Sequence, residues 1–370
     1  MPFRQAVEEV WLNQHSYVEE STLRRIAYLH GEAAEALERA EVERLEREAP
    51  SSVATPQQLF VSADGALIQL TTGEWTEVKT MAVGEFAGIW NGKKGRVQVK
   101  GKEISYFSRG YRAREFERYA LAELQRRGVD NAERVVTIND GAEWIQSFAD
   151  YHIPKAVRIL DFSHAMEYVA KAGQSVWGEG TKEFDQWYKH MRHQFRHQPP
   201  QRTLSDLGFL SRKAKSDEAL AAVDNALRYL TKRVDLIDYP HFQEQGFPIG
   251  SGSVESSHKV IVQSRMKGGG MRWAKAHVDP MLALRNMVVN GRWVGGWSQI
   301  VAFHWRRRHQ EMIELTRGQQ SSAPATTLAS VKVAPSSTAE ERPVAPKSNE
   351  SKQRYRPAPD HPWRRYGLTL

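Results

Sequence analysis

Three acidic residues occupy positions where a carboxylate could take part in metal chemistry. Asp64 lies within LFVSADGALIQL, an apolar run that alternates like a strand, and Asp140 ends a second such run, RVVTIND, just before a helical pattern. Glu255 lies in IGSGSVESSHKV, where a glycine-rich turn opens a helix. Two carboxylates on strands and a third on a later helix can converge at one edge of a sheet. Such a cluster of oxygen ligands suits Mg²⁺, and in a basic protein Mg²⁺ points to phosphodiester chemistry.

Each of these carboxylates also has a purely structural interpretation. Because Asp-Gly is a common hairpin signal, Asp64 could mark a turn, although strand pattern continues on both sides of it. Asp140 could cap the helix that follows it. Glu255 could complement the dipole of its helix and pair with Lys259, four residues later. The local patterns leave both interpretations open, and the order of the three residues along the predicted elements favours a shared site.

The elements that would position these residues follow an α/β order. Three strand patterns come first, and a helix, a strand, a helix and a short strand follow, which predicts a mixed sheet with flanking helices. The strand patterns cover residues 59–70, 74–86, 95–108, 134–139 and 156–162, and the helical patterns cover 111–127 and the segment around Trp144.

The rest of the sequence is mainly helical. Residues 2–49 have apolar side chains at helical spacing, and they would form either a DNA-reading helix-turn-helix or an ordinary helical hairpin. Residues 163–246 show no strand pattern, which indicates a helical insert before the Glu255 helix. From 318 to 352 the chain is rich in Ser, Ala, Pro, Thr and Lys with few apolar residues, which predicts disorder.

A dense run of basic residues follows Glu255. It comprises Lys259, Arg265, Lys267, Arg272 and Lys275, with three glycines that allow a backbone to approach closely. Contact with DNA phosphates is the functional interpretation, and a solvated basic helix face is the structural one. Trp273, within the same run, could stack on a base or belong to the core.

A second polar group lies in LDFSHAMEYV. Asp161, His164 and Glu167 follow one another at intervals of three residues, a spacing that suits one face of a helix. One interpretation gives Asp161 and His164 an accessory catalytic role. The other is that a histidine near the start of a helix is structural.

The composition of the whole chain favours a polyanionic partner. The 370 residues carry 52 Lys and Arg against 44 Asp and Glu, a net charge of +8, and each phosphate that a basic side chain neutralises releases a condensed counterion. The absence of cysteine excludes disulfides and Cys-based zinc fingers. No apolar stretch approaches the roughly 18 residues of a membrane span, and the N-terminus lacks a signal-peptide pattern. We therefore expect a cytoplasmic protein without membrane contact.

Several long blocks of the sequence resemble those of bacterial insertion-sequence transposases of the DDE class, in the ISKra group that is related to Mutator-type transposases. VSADGALI and GEWTEVK resemble the segment that holds the first catalytic Asp of that family, here Asp64. VVTINDGAEWI resembles the segment of the second, Asp140, and ILDFSHAMEYV resembles the helix entry that follows it. IGSGSVESSHKVIVQSRMKGGGMRW resembles the block of the catalytic Glu, here Glu255. The resemblance runs from about residue 1 to 310 and returns at HPWRR (361–365).

This resemblance implies an RNase H-like core with an all-helical insertion between the fifth strand and the last catalytic helix. The separation of 115 positions from Asp140 to Glu255 (255 − 140) leaves room for that insertion. The implied activity is cleavage of double-stranded DNA at transposon ends and strand transfer into target DNA. In that reaction Asp64, Asp140 and Glu255 would hold two Mg²⁺ ions, or Mn²⁺ in their place. Joining two DNA ends implies at least a homodimer.

Two other functions remain open as alternatives to a transposase. One is an RNase H-like nuclease that cuts DNA without strand transfer. The other is an inactive, DNA-binding remnant of a transposable element.

Patterns and resemblance together divide the chain into five parts. Residues 1–49 are a helical region, which the resemblance implies is a shortened DNA-binding part. The other parts are a catalytic core (59–162 and 247–317), a helical insertion (163–246), a disordered tail (318–352) and a C-terminal extension (353–370).

Overall fold

The structure, a computed structural model, describes residues 2–92, 96–252 and 258–321. Its part up to Leu315 forms one compact unit. Glu255, the predicted tail beyond residue 321 and the extension 353–370 lie outside the described residues, and residues 318–321, where the tail was predicted to begin, complete a helix. None of the described helices is long and apolar enough to cross a membrane.

A mixed five-stranded sheet forms the centre of the described fold, and all five predicted strands are confirmed. Its strands follow the order β3-β2-β1-β4-β5. The pairs β1–β2 and β2–β3 are antiparallel, whereas β1–β4 and β4–β5 are parallel. The strands are β1 (Gln58–Gln69), β2 (Trp75–Asn91), β3 (Arg96–Arg109), β4 (Arg134–Asn139) and β5 (Val157–Leu160).

Strand β1 runs straight through Asp64, so the hairpin interpretation of that residue is wrong. Asp64 pairs with Thr80 in a ladder with β2 that extends along most of β1. The reversal of the chain comes later, where the Leu70 amide donates to the Glu74 carbonyl oxygen at 2.8 Å. Gly73, with φ of +90°, supplies the left-handed turn conformation there.

Helices flank the sheet, and the described residues from 163 to 246 contain helices but no strand, as predicted. The helices before that stretch are α1 (Phe3–Gln14), α2 (Glu20–Glu48), α3 (Ala113–Arg126) and α4 (Glu143–His152). Those in it are α5 (Phe162–Trp177), α6 (Lys182–His197), α7 (Pro200–Gly208), α8 (Asp217–Thr231) and α9 (Tyr239–Glu244). After it come a π-helix (His258–Gln263), α10 (Ser264–Met266), α11 (Lys275–Val289) and α12 (Trp293–Ser321).

The two faces of the sheet carry separate cores because successive strand residues point to opposite sides. Phe60 and Ile138 face a cluster that includes buried residues of α5, α6 and α8. Leu59 and Val61 face the opposite cluster, which includes residues of α3 and α4. The helices at residues 163–246 therefore cover one face of the sheet.

The N-terminal helix α2 is integrated into the compact unit. A Cβ at Gly31 would collide with the Pro280 carbonyl oxygen, so α2 and α11 approach closely at that point. The Tyr111 hydroxyl donates to Glu35 Oε1 at 2.6 Å, and Arg118 makes a two-pronged ion pair with Glu46. These contacts hold the predicted N-terminal region against the core.

Candidate metal site

Asp64 lies on β1, and Asp140 directly follows the neighbouring parallel strand β4. The β1–β4 pairing runs from Gln58↔Arg134 to Val61↔Thr137. Continuing this register by three residues sets Asp64 of β1 level with Asp140, one residue past the end of β4 (61 + 3 and 137 + 3). Adjacent strands lie about 4.8 Å apart, so the register brings the two carboxylates to one edge of the sheet.

Just before the two aspartates, hydrogen bonds that involve side chains follow the backbone pairing of β1 and β4. The Ser62 hydroxyl donates to the Ile138 carbonyl oxygen at 2.5 Å, and the Ala63 amide donates to Asn139 Oδ1 at 2.7 Å. Both contacts keep the register of the ladder, since they join residue 62 to 138 and residue 63 to 139. Ser62 and Asn139 are buried, which shields these bonds from water.

Strand alternation directs both aspartates to the same face of the sheet. Asp64 has the parity of Phe60, and Asp140 has that of Ile138, and both of these apolar residues belong to the cluster on the helical face. Asp64 and Asp140 are each half-buried. Partial burial lowers the local dielectric, so a cation held between the two carboxylates would interact with them more strongly than in water.

Local hydrogen bonds orient each of the two carboxylates. Asp64 Oδ1 accepts from the Gly65 amide at 2.7 Å, and Asp140 Oδ1 accepts from the Ala142 amide at 2.9 Å. The second bond spans two residues, as in an Asx turn. Helix α4 begins at Glu143 with Ala142 at its N-cap position and no side-chain cap, so the cap interpretation of Asp140 is wrong.

Asp161 joins the end of β5 to the segment that leads to Glu255. It is 4% exposed, and its Oδ1 caps α5 by accepting from the His164 amide at 2.9 Å. Its Oδ2 accepts from the Ser251 amide at 2.5 Å. Because both carboxylate oxygens are engaged in this way, the geometry favours a positioning role for Asp161.

The predicted partner of Asp161, His164, lies at the first turn of α5. Its ring meets Tyr168 edge-on with the centroids 5.6 Å apart, and its Nδ1 lies 3.6 Å from Glu167 Oε2. The predicted common helix face is confirmed for these two residues. The contacts are those of a surface-facing, partly buried histidine.

Glu255 itself lies outside the described residues, but the chain on both sides of it is placed. On the N-terminal side, Ser251 is bonded to Asp161, and the Phe162 amide donates to the Ile249 carbonyl oxygen at 2.9 Å. On the C-terminal side, Ile261 and its neighbour belong to a buried cluster with Ala66 and Ile68 of β1. Those β1 residues have the parity of Asp64, so the C-terminal flank packs on the same face of β1 as Asp64, and the N-terminal flank is bonded to the residues that follow β5.

Two residues that hold the loop at residues 140–142, here called the Asp140 loop, were not predicted from the sequence. One lies in α8 and the other in the turn after it. The Tyr229 hydroxyl donates to the Asp140 carbonyl oxygen at 2.6 Å, and Arg233 donates to the Gly141 carbonyl oxygen at 3.1 Å. The Arg233 guanidinium also lies 3.8 Å from the centre of the Tyr229 ring. Burial, more than any nearby charge, raises the pKa of Tyr229 to about 12, so its hydroxyl is the neutral donor near neutral pH.

A second tyrosine makes the equivalent contact at the next strand. Tyr239 is fully buried, and its hydroxyl donates to the Leu160 carbonyl oxygen at 3.0 Å, at the last residue of β5. The helical stretch thus supplies one hydroxyl to the end of each of the parallel strands β4 and β5. The sequence carried no signal for these bonds because both tyrosines sit in helical, apolar patterns that are typical of core residues.

The predicted basic run separates into exposed and buried members. Lys259, Lys267 and Arg272 are exposed. Lys275 is exposed as well, but its Nζ donates to the Gly110 carbonyl oxygen at 2.9 Å. Arg265 is only 8% exposed, so its predicted role as a phosphate contact gives way to a packing role.

Aromatic rings explain the burial of Arg265. Its guanidinium lies 4.7 Å from the centre of the Phe3 ring and 5.0 Å from that of Trp273. Trp273 is itself 4% exposed and bonded through its indole nitrogen to the Met266 carbonyl oxygen, so the core interpretation of this tryptophan is confirmed.

The two described carboxylates of the candidate site are of the ligand type that binds a hard divalent cation. Asp64 and Asp140 offer carboxylate oxygens, the ligands that Mg²⁺ prefers. Within the described ranges no group of three or more His, Cys, Asp or Glu side chains could hold a metal ion. The third predicted ligand, Glu255, lies outside these ranges.

Comparison with known families assigns the chain to one of them. Residues 2–299 match the model of an uncharacterised protein family, UPF0236. The match covers most of the chain, and the protein belongs to this family. A search of curated proteins found no match.

Proposed function

We propose that this protein is a DDE-class DNA transposase with an RNase H-like catalytic core. The observation that carries the proposal is the β1–β4 register, which the Ser62–Ile138 and Ala63–Asn139 contacts continue up to Asp64 on β1 and Asp140 directly after β4. The topology supports it, since an antiparallel β1–β3 unit is extended by two parallel strands and helices alternate with β4 and β5. In this proposal the helices from 163 to 246 are an insertion between β5 and the Glu255 helix.

Glu255 is the third ligand in this proposal, and its flanks support the assignment. The Asp161–Ser251 hydrogen bond fixes the chain four residues before Glu255 to the edge where β5 ends. The packing of Ile261 near Ala66 fixes the chain six residues after it to β1, two residues beyond Asp64. Ligands that come from two strands and a later helix would then surround one point at this edge.

The three carboxylates would hold two Mg²⁺ ions, and these ions would supply activation of the attacking oxygen and charge stabilisation of the leaving oxygen in a phosphodiester displacement. The role of the chain is to present the carboxylates in one orientation. The Gly65 and Ala142 amides orient Asp64 and Asp140, and the buried Ser62 and Asn139 side chains hold the two strands in register. Rigid placement of this kind is what positions reacting atoms for attack.

Double-stranded DNA is the proposed substrate, as transposon ends and as target. Lys259, Lys267 and Arg272 are the exposed basic residues after Glu255, and we assign them contacts with backbone phosphates. Arg265 is left out because it is buried. The need to hold two DNA ends together makes a homodimer or larger assembly on DNA the proposed working form.

Replacement of Asp140 by Asn tests this function. The variant keeps the size of the side chain and an acceptor for the Ala142 amide but loses the charge that binds Mg²⁺. We expect Mg²⁺-dependent nicking of DNA that carries the element ends to fall by at least about a thousandfold, with DNA affinity unchanged. Asp224→Asn, at an exposed position of α8, is the matched control and should cleave like the wild type.

The products separate the transposase from its alternatives. Transfer of a cleaved 3′ end into a target duplex supports the transposase. Cleavage by the wild type without any joined product would indicate a nuclease on the same core. Binding to element ends without metal-dependent cleavage would indicate an inactive remnant, and full cleavage by Asp140→Asn would exclude the site itself.

A further inference from the structure

The contacts between α8 and the Asp140 loop suggest how the helical stretch acts on the site. Three bonds converge on residues 140–142: Tyr229 binds the Asp140 carbonyl oxygen, Arg233 binds the Gly141 carbonyl oxygen, and the Ala142 amide binds the Asp140 carboxylate. The first two come from residues about 90 positions away in the sequence. The loop is therefore held from outside as well as by its own turn.

The backbone conformation of this loop depends on the same contacts. Gly141 has φ of +80°, a left-handed conformation that other residues adopt only at a cost. An added Cβ would lie 2.8 Å from Arg233 Nε and 2.9 Å from the Tyr229 hydroxyl. Glycine thus lets the two side chains come close enough to bind the carbonyl oxygens of Asp140 and of Gly141 itself.

The Tyr229 ring is itself fixed on both faces. It stacks on Tyr168 of α5 with the centroids 3.8 Å apart and the planes 7° from parallel, and the Arg233 guanidinium lies 3.8 Å from its centre. Arg233 also donates to the Tyr229 carbonyl oxygen at 3.2 Å. A hydroxyl on a ring held this firmly has little freedom, so it fixes the carbonyl that it binds.

We infer that Tyr229, assisted by Arg233, is a positioning residue that sets the orientation of the Asp140 carboxylate for cation binding. The inference rests on the proposed function, since it treats Asp140 as a metal ligand. Its physical basis is that a hydrogen bond to the carbonyl of a residue fixes the peptide plane from which the next turn starts. The Asp140 carboxylate is bonded within that turn, to Ala142. Partners outside the ligand set commonly contribute a factor of 10–100 to metal affinity.

Tyr229→Phe removes the one oxygen atom that makes the bond and keeps the ring stack. In the metal-free, full-length protein, we expect hydrogen exchange of the Ala142 amide to become about fivefold faster, the equivalent of about 1 kcal/mol for one hydrogen bond. In a calorimetric titration with Mg²⁺ alone, we expect affinity to fall about tenfold. At saturating Mg²⁺ the cleavage rate should return to near the wild-type value, which a general loss of structure would not allow.

Tyr188→Phe is the matched control, because the Tyr188 ring stacks on Phe184, one turn earlier on α6, and it should change neither readout. Arg233→Gln removes the hydrogen bond to the Gly141 carbonyl oxygen, and it should shift Ala142 exchange and Mg²⁺ affinity in the same direction. It serves as the second test if Tyr229→Phe fails to fold. Unchanged Ala142 exchange and unchanged Mg²⁺ affinity in both folded variants would overturn the inference while the proposed function stands. Wild-type protein that binds no Mg²⁺ would overturn the proposed function, and the exchange of Ala142 would still decide whether Tyr229 positions the loop.

Discussion

The buried carboxylate of Asp161 accepts hydrogen bonds from two different parts of the chain, and its bond with the Ser251 amide, at 2.5 Å, connects α5 to the segment before Glu255. Sequence spacing had grouped Asp161 with His164, and the structure adds Ser251, 90 residues further on. This single side chain links the end of β5 to the segment that leads to Glu255, the third proposed ligand.

We expect Asp161→Asn to lower the free energy of unfolding by about 1–3 kcal/mol. An asparagine can offer its oxygen to only one of the His164 and Ser251 amides, and its NH₂ group would face the other donor. Urea unfolding measures the loss. Asp238→Asn is the control, since the bond that Asp238 accepts from the His241 amide is a longer cap bond of 3.4 Å and asparagine caps helices about equally well. Equal losses in the two variants would show that the Ser251 bond contributes nothing.

Gly141→Ala should destabilise the protein more than Gly73→Ala. Both glycines have positive φ, +80° and +90°, so both variants should lose about 1–2 kcal/mol from the left-handed backbone. Only the Cβ at position 141 would collide with Arg233 and Tyr229, whereas the one at position 73 would meet nothing within 4 Å. The difference between the two variants in the free energy of unfolding therefore measures how closely Arg233 and Tyr229 pack on Gly141. A difference near zero would contradict that close packing.

The fold was largely predictable because strand alternation and helical spacing are local signals. The strand ends and the Asp140 loop were not. Asp64 followed by glycine is a turn signal in isolation, and only its pairing with Thr80 on β2 makes it part of a continuous strand. Likewise Asp140 could have capped α4, and its actual partner two residues away depends on the left-handed Gly141.

The candidate site was predictable in its carboxylates but not in its supports. Tyr229 and Tyr239 look like ordinary core residues, because a bond to a backbone carbonyl leaves no trace in the sequence of the partner. Arg265 could not be told from Lys267, since its burial depends on Phe3, which lies more than 250 positions away. Long-range packing decided both cases.

The exposed and buried members of the basic run should respond differently to substitution. Lys267→Ala should weaken DNA binding and reduce the slope of log affinity against log salt by about 1, because one phosphate contact is lost. Arg265→Ala should leave that slope unchanged but lower the stability, since its guanidinium packs on Phe3 and Trp273. Fluorescence anisotropy at several salt concentrations and urea unfolding measure the two effects. A reduced slope for Arg265→Ala would restore it as a phosphate contact.

Glu123 should make stability depend on pH in the acid range. Burial opposes ionisation of this carboxyl, but the hydrogen bonds and charge of Arg292, with the charge of Arg126, outweigh burial and hold the pKa of Glu123 below its ordinary value of 4.5. Because the folded pKa is the lower one, the stabilisation is complete above about pH 4.5 and is lost as the pH falls through the folded pKa.

Glu123→Gln therefore should lower the free energy of unfolding by about 3 kcal/mol at neutral pH, because it leaves Arg292 without its buried partner. Below about pH 4.5 the difference from the wild type should shrink. Glu46→Gln, which removes a partly exposed ion pair with Arg118, should cost less than about 1 kcal/mol. If the free energy of unfolding depended on pH in the same way in the wild type and in Glu123→Gln, the Glu123–Arg292 pair would not account for the loss of stability in acid.

The convergence of three carboxylates around divalent cations is tested most directly by anomalous diffraction from crystals of the full chain soaked with Mn²⁺. We predict two manganese peaks about 3.5–4 Å apart, each within about 2.5 Å of carboxylate oxygens from the set Asp64, Asp140 and Glu255. Crystals in which these side chains lie more than about 10 Å apart, with no manganese between them, would contradict the account.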